Sequence, residues 1–233
     1  MSEFASLRIF ADSFSSDGQV IPVERFEPEL EGRHPALLLL HGAEGMQQRG
    51  ETYRSMAQAF SRHGYAVFLI HYLGRTRTAF GGLYANPLQS LSWLRILRDA
   101  VSYAALQPEV DPSRLGVVGI SLGAYLATSL ALHDPRIGAV IDCFGGLPDP
   151  FARGLTRMPP ILILHGSADP IVPVREAYKL ARLLRDKGLP HEMWIYPSGG
   201  HVLQGEDALD AVERALAFLD KHLNPQPVEA LVG

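Results

Sequence analysis

Short unbroken apolar runs alternate along this chain with longer stretches in which apolar residues recur every third or fourth position. The unbroken runs predict strands buried on both faces, as in a parallel sheet. They lie at 36–40, 65–70, 115–118 and 161–164, and further strands are expected at 137–144 and 191–196. The periodic stretches predict helices over 50–62, 124–132 and 174–187, and one near the end, where Ala208, Leu209, Val212, Ala215, Leu216 and Leu219 share a face. The longest helix is expected to open at Asn86-Pro87, a cap followed by proline at the first helical position. Trp93, Ile96, Leu97, Ala100, Val101 and Ala104 form its apolar stripe, and Pro108 ends it.

The start of the chain reads differently. Residues 7–26 hold two β-like stretches around the turn Ser15-Ser16-Asp17-Gly18, an antiparallel beginning at a sheet edge where Pro22 is tolerable. Loops are expected over 27–34, 71–85 and 145–160, an edge segment over 1–14 and a frayed tail over 223–233. Strand and helix alternate with no repeat, linker or composition shift, which predicts one domain over 1–233. It is an α/β architecture, a mostly parallel twisted sheet with helices on both faces. Ligands in such sheets sit beyond the carboxyl ends of the strands. The loops holding Ala43, Ser121, Asp169 and His201 all follow strands and should converge on that edge.

Composition narrows the partners. The 233 residues carry a net charge of −4 with no basic run, so nucleic acid is not expected. The apolar runs are too short for a membrane span, and no secretory signal is visible at the start. With one cysteine, Cys143, expected in the core, an intrachain disulfide is impossible and a cytoplasmic setting is expected. There is no H-E-x-x-H, no paired-cysteine spacing and no G-x-G-x-x-G after the first parallel strand, so neither metal nor cofactor is expected. A monomer or small homo-oligomer is the expected form.

The chemistry is concentrated in Gly119-Ile120-Ser121-Leu122-Gly123, set between a strand and a helix. G-x-S-x-G in that context is a nucleophile elbow, whose glycines make room for a turn that lifts the serine clear. A serine hydroxyl needs a base within reach. His201, in a Gly-Gly loop after the last strand, is the candidate. Asp169, after the preceding strand, is the candidate for fixing its tautomer, with Asp142 and Asp149 as the other possible acids. The backbone N–H groups of Leu122 and Ala43 are the candidate oxyanion donors. Glu44, Phe80 and Tyr84 are candidates for lining the substrate site, and Arg75 and Arg77 for reaching an anionic substrate.

Together, His41-Gly42-Ala43-Glu44-Gly45, the elbow, the segment from Gly166 to Pro173 that holds Asp169, and Gly199-Gly200-His201 resemble the dienelactone hydrolase family. The resemblance implies an α/β-hydrolase fold without a large cap. It also implies Ser121, Asp169 and His201 as catalytic triad, with Ala43 and Leu122 as oxyanion donors. Two departures stand out. The namesake enzymes carry cysteine at the elbow, and they place an arginine shortly after the catalytic histidine to hold a substrate carboxylate. Here the residues are Ser121 and Val202-Leu203-Gln204-Gly205.

The expected function is therefore a serine hydrolase for small carboxylic esters or lactones. The alternatives are dienelactone hydrolase proper, a thioesterase, an acyl-peptidase or, from another class, a non-catalytic binding protein on the same fold. Because 145–160 is too short for a lid, the site is expected to be open. A long acyl chain would then lie largely in water, and activity would stop rising after a short chain.

Overall fold

The structure, a computed structural model, describes residues 6–74 and 87–223. The chain opens with a hairpin of β1 (Leu7–Ser16) and β2 (Gln19–Pro28), turned by Asp17 and Gly18, both at positive φ. The parallel strands follow: β3 (His34–Leu40), β4 (Ala66–Ile70), β5 (Val110–Ile120), β6 (Ile137–Cys143), β7 (Ile161–Gly166) and β8 (His191–Tyr196). All eight lie in one sheet of order β1-β2-β4-β3-β5-β6-β7-β8. β1 and β2 are antiparallel, and β2 joins β4 antiparallel at one side of the parallel strands.

The helices are α1 (Gly45–Arg62), α2 (Pro87–Ala105), α3 (Leu122–His133), α4 (Asp149–Ala152), α5 (Arg175–Asp186) and α6 (Gly205–Leu223). Strand side chains alternate between the two faces, and β3, β4 and β7 bury both, while β8 at the edge stays largely exposed. Ala36, Leu38 and Leu40 join the core under α2, α3 and α5. Leu37 and Leu39 join the core under α1 and α6. α3 crosses the middle of the sheet, and every residue from Leu122 to Leu132 is buried.

From β3 the chain first crosses outward to β4, then returns past β3 to β5 and continues the other way. The reversal leaves a crevice at the carboxyl ends of β3 and β5, where open α/β sheets bind ligands. The loop after β3 holds Ala43 and the turn after β5 holds Ser121, so both border it.

Two boundaries differ from the sequence expectation. α1 begins at Gly45, not near residue 50, and breaks helical geometry at Arg49. Its first turn, Met46-Gln47-Gln48-Arg49, has no apolar period: Met46 alone packs on the core, and Gln48 and Arg49 line the cavity. β5 begins at Val110, ahead of the apolar run. Its polar first half pairs with β3 only at Val110↔His34 before the register shifts. The 145–160 connection carries only the four-residue α4. Asn86, the expected cap of α2, lies outside the described residues.

Candidate active site

Ser121 is the single residue between β5 and α3, with φ 55° and ψ −117°. A side chain at positive φ is strained, a feature that clusters at functional sites. The turn is held by Ser121 N–H donating to the Cys143 carbonyl (2.8 Å) and Ala124 N–H donating to the Ser121 carbonyl (2.9 Å). Both flanking glycines are needed. A Cβ on Gly119 would run into the Gly123 carbonyl, and one on Gly123 into the Leu40 carbonyl.

His201 bridges Ser121 and Asp169. Its Nε2 lies 3.0 Å from Ser121 Oγ, and its Nδ1 lies 2.8 Å from Asp169 Oδ2. A carboxylate can only accept, so Nδ1 carries the proton and Nε2 is left to accept from the serine. The Asp169 side chain is buried, and its Oδ1 accepts from Ile171 N–H (2.8 Å) and Val172 N–H (2.9 Å). Behind it His165, kept neutral by burial, turns Nε2 to the Val172 carbonyl at 2.9 Å and lies 3.4 Å from Asp169 Oδ2. Phe144 stands between the two imidazoles, 5.9 Å from His165 and 5.5 Å from His201 by ring centroids.

The Asp169 and His201 loops are tied to each other. Ser167 N–H donates to the Tyr196 carbonyl and Ala168 N–H to the Gly199 carbonyl, each at 2.9 Å. Ser198 N–H donates to Ser167 Oγ at 2.9 Å. Gly166 permits this approach, since a Cβ there would strike the carbonyls of Gly199 and Gly200.

The other two candidate acids do not reach His201. Asp149 pairs with Lys179 at the surface. Asp142 is buried, with Oδ1 accepting from Gly145 N–H at 2.9 Å and Oδ2 without a partner. Burial pushes its pKa up from 3.8 to about 7. The folded protein therefore keeps a proton that the unfolded chain releases above pH ~4. The stability this contributes is complete below that pH and is lost as pH rises through about 7. Asp142→Asn cannot ionise, so its melting temperature relative to wild type should climb between pH 5 and pH 8. A constant difference over that range would show that Asp142 does not titrate there.

The loop after β3 is braced by aromatic residues. Tyr72 Oη–H donates to the His41 carbonyl at 2.6 Å, and the two rings stack at 4.4 Å. His41 Nδ1 donates to the Gly42 carbonyl (2.8 Å), and burial lowers its pKa to about 4, so the ring stays neutral. Gly42 N–H donates to Tyr53 Oη (2.8 Å), whose proton goes to Glu44 Oε1 (2.5 Å). Ala43 is thus held between two fixed neighbours beside the crevice. Across it, Leu122 opens α3, where the first N–H groups have no helical acceptor.

Ser121, His201, Asp169, Ala43, Leu122 and Glu44 therefore come together at one edge. Phe80, Tyr84, Arg75 and Arg77 lie outside the described residues. Sequence reading missed Tyr53, Tyr72, Phe144 and His165. For His165 a signal existed, since His165-Gly166 repeats the His41-Gly42 pattern at a strand end. The three aromatic residues carry no local signal.

A cavity of about 410 Å³ adjoins Ser121 and His201, within the range of small-molecule sites. It runs along the sheet between α1 and α6, an apolar space that the expectation of a chain lying largely in water did not include. Cys143 lines it and is buried, with its thiol pKa pushed far up by burial. Among the described residues no group of His, Cys, Asp and Glu is arranged to hold a metal, and no helix is long and apolar enough to cross a membrane.

Residues 22–219 match the model of the dienelactone hydrolase family. A Methylorubrum extorquens protein provisionally named a carboxymethylenebutenolidase is 22% identical over 204 residues, covering 80% of this chain and 69% of the relative. Among solved structures, a Klebsiella pneumoniae protein provisionally named a dienelactone hydrolase aligns with TM-score 0.78 and 21% identity. That alignment covers 93% of this chain and all of the other. An acylaminoacyl peptidase from Pyrococcus horikoshii aligns with TM-score 0.78 and 17% identity, over 95% of this chain and 43% of its own. Both likenesses are of fold.

Proposed function

This chain belongs to the dienelactone hydrolase family, and on that footing we propose that it hydrolyses carboxylic esters or lactones with Ser121 as nucleophile. The observation that carries this reading is the unbroken hydrogen-bond chain from Ser121 through His201 to Asp169. Ser121 Oγ attacks the ester carbonyl while His201 Nε2 takes its proton. Leu122 and Ala43 N–H receive the negative charge that develops on the carbonyl oxygen. His201 returns the proton to the alkoxide as the carbon–oxygen bond breaks, and the alcohol leaves. Water, deprotonated by the same nitrogen, attacks the acyl-enzyme, and the acid departs as Ser121 regains its proton. Asp169 steadies the imidazolium in both halves.

No arginine stands shortly after His201, and the cavity there is mainly apolar, which favours a neutral substrate over a carboxylated lactone. The test pairs a short-chain fluorophosphonate probe with nitrophenyl ester, thioester, lactone and anilide substrates. Labelling at Ser121 with faster turnover of ester or lactone than of anilide is expected. Folded protein that neither labels at Ser121 nor turns over any of them would be a binding protein instead.

A further inference from the structure

We propose that the cavity between α1 and α6 is a binding site for the acyl chain, and that the preferred substrate is an ester of an unbranched, uncharged acid of medium length. The proposal rests on the hydrolase reading of Ser121 and adds the class of acid.

The floor of the cavity is the sheet. Ile120, Cys143 and Leu164 form one row across β5, β6 and β7, level with the nucleophile. Val118 and Ile141 form the next row on the same face. Two residues along a parallel strand span about 6.6 Å, so the lining continues well below Ser121. The walls are Met56 and Phe60 of α1, with Ala208, Ala211, Val212 and Ala215 of α6 facing them. The α6 positions follow the spacing of a single helix face, and three of the four are alanine. These short side chains leave open a space that Phe218 and Leu219, one turn on, close with buried bulk.

The two ends of the cavity differ. Arg49, Ile171 and Val202 at the mouth are exposed, and the charged Glu44 and Arg49 both belong to that end. Val118, Ile141, Phe60 and Ala215 at the other end are buried and apolar. Val202 directly follows His201, so the mouth opens on the side of the imidazole. The leaving alcohol takes its proton from His201 Nε2 and departs there. The acyl group, still bonded to Ser121, is the part that faces the buried end. A carboxylate at the tip of that chain would find no partner.

Each methylene withdrawn from water contributes about a fourfold gain in binding. A chain reaching from the Ser121 row to the Val118–Ile141 row buries several. The test compares kcat/KM for nitrophenyl acetate, butyrate and octanoate in wild type, Ala211→Phe and Met56→Trp. Both substituted positions are only partly buried, and the two narrow the cavity from opposite walls. Octanoate should exceed acetate by about 100-fold in wild type. Either variant should collapse that ratio toward one while Ser121 still labels with a short-chain fluorophosphonate. A flat wild-type series with acetate turned over and Ser121 labelled overturns the acyl site and leaves the hydrolase reading intact. A ratio that persists in both variants also overturns it, because the chain then lies elsewhere. If octyl acetate gains over ethyl acetate as much as octanoate gains over acetate, the cavity takes the alcohol and the assignment falls. No turnover and no label in folded wild type removes the hydrolase reading and the acyl site together.

Discussion

Replacing Ser121 with alanine should lower kcat for ester hydrolysis by about 10⁵- to 10⁶-fold, the scale on which serine hydrolases lose activity without their nucleophile. The fold should survive. Ser121 Oγ contributes one hydrogen bond, to His201, and a bond of that kind is worth about 0.5–1.5 kcal/mol net. Alanine keeps the Cβ, so the strain at φ 55° is unchanged. Glycine would release that strain, and Ser121→Gly should melt higher than Ser121→Ala while being equally inactive. Steady-state kinetics with thermal melts of the three proteins decide the matter. A folded Ser121→Ala that turns over ester near the wild-type rate ends the mechanism.

Asp169→Asn should cost about 10⁴ in kcat, as the loss of the corresponding aspartate does in a serine protease. The surroundings of Asp169 say which way the new amide turns. Oδ1 accepts from two backbone N–H groups, those of Ile171 and Val172. An amide NH2 cannot take that place, so the oxygen of Asn must sit there and the nitrogen must face His201. A donor opposite Nδ1 forces the proton onto Nε2, where it points at Ser121 and blocks proton transfer. Binding should change little, so kcat falls far more than KM shifts. Asp142→Asn, which touches neither His201 nor Ser121, serves as the comparison. A large loss there and none at Asp169 would mean the acid is misassigned.

The inner strands β3, β4 and β7 were legible because burial on both faces leaves almost no polar position, as at 36–40. Which residue of such a run faces which layer is not legible. Leu38 and Leu39 are equally apolar, yet they enter opposite cores. The elbow was legible because its requirement is local: two backbone crossings that exclude a Cβ write two glycines into the sequence. The braces of the site were not, because Tyr53 and Tyr72 meet the His41–Glu44 loop only after α1 and β4 fold over it. The cavity was not legible for a related reason. Loop length decides whether a lid exists, but depth is set by missing side-chain volume on α6. Ala208 and Ala215 read as ordinary helix-face residues until α1 is seen opposite them.

The mutual ties between the Asp169 and His201 loops set how the site fails when the protein is warmed. Segments that share hydrogen bonds chiefly with each other open as one cooperative unit, at a lower free energy than the sheet beneath them. Ser167, Ala168 and Ser198 carry such shared bonds and are expected to open together, whereas Ser121 is anchored separately to β6 through the Cys143 carbonyl. A fluctuation that frees one loop frees its partner, so carboxylate and imidazole depart and return as a pair. On the proposed mechanism, Ser121 would then stand on an intact sheet without its base. Reversible loss of activity short of the global melt then belongs to these few amides, and a single cross-link between the two loops would raise the temperature at which it begins.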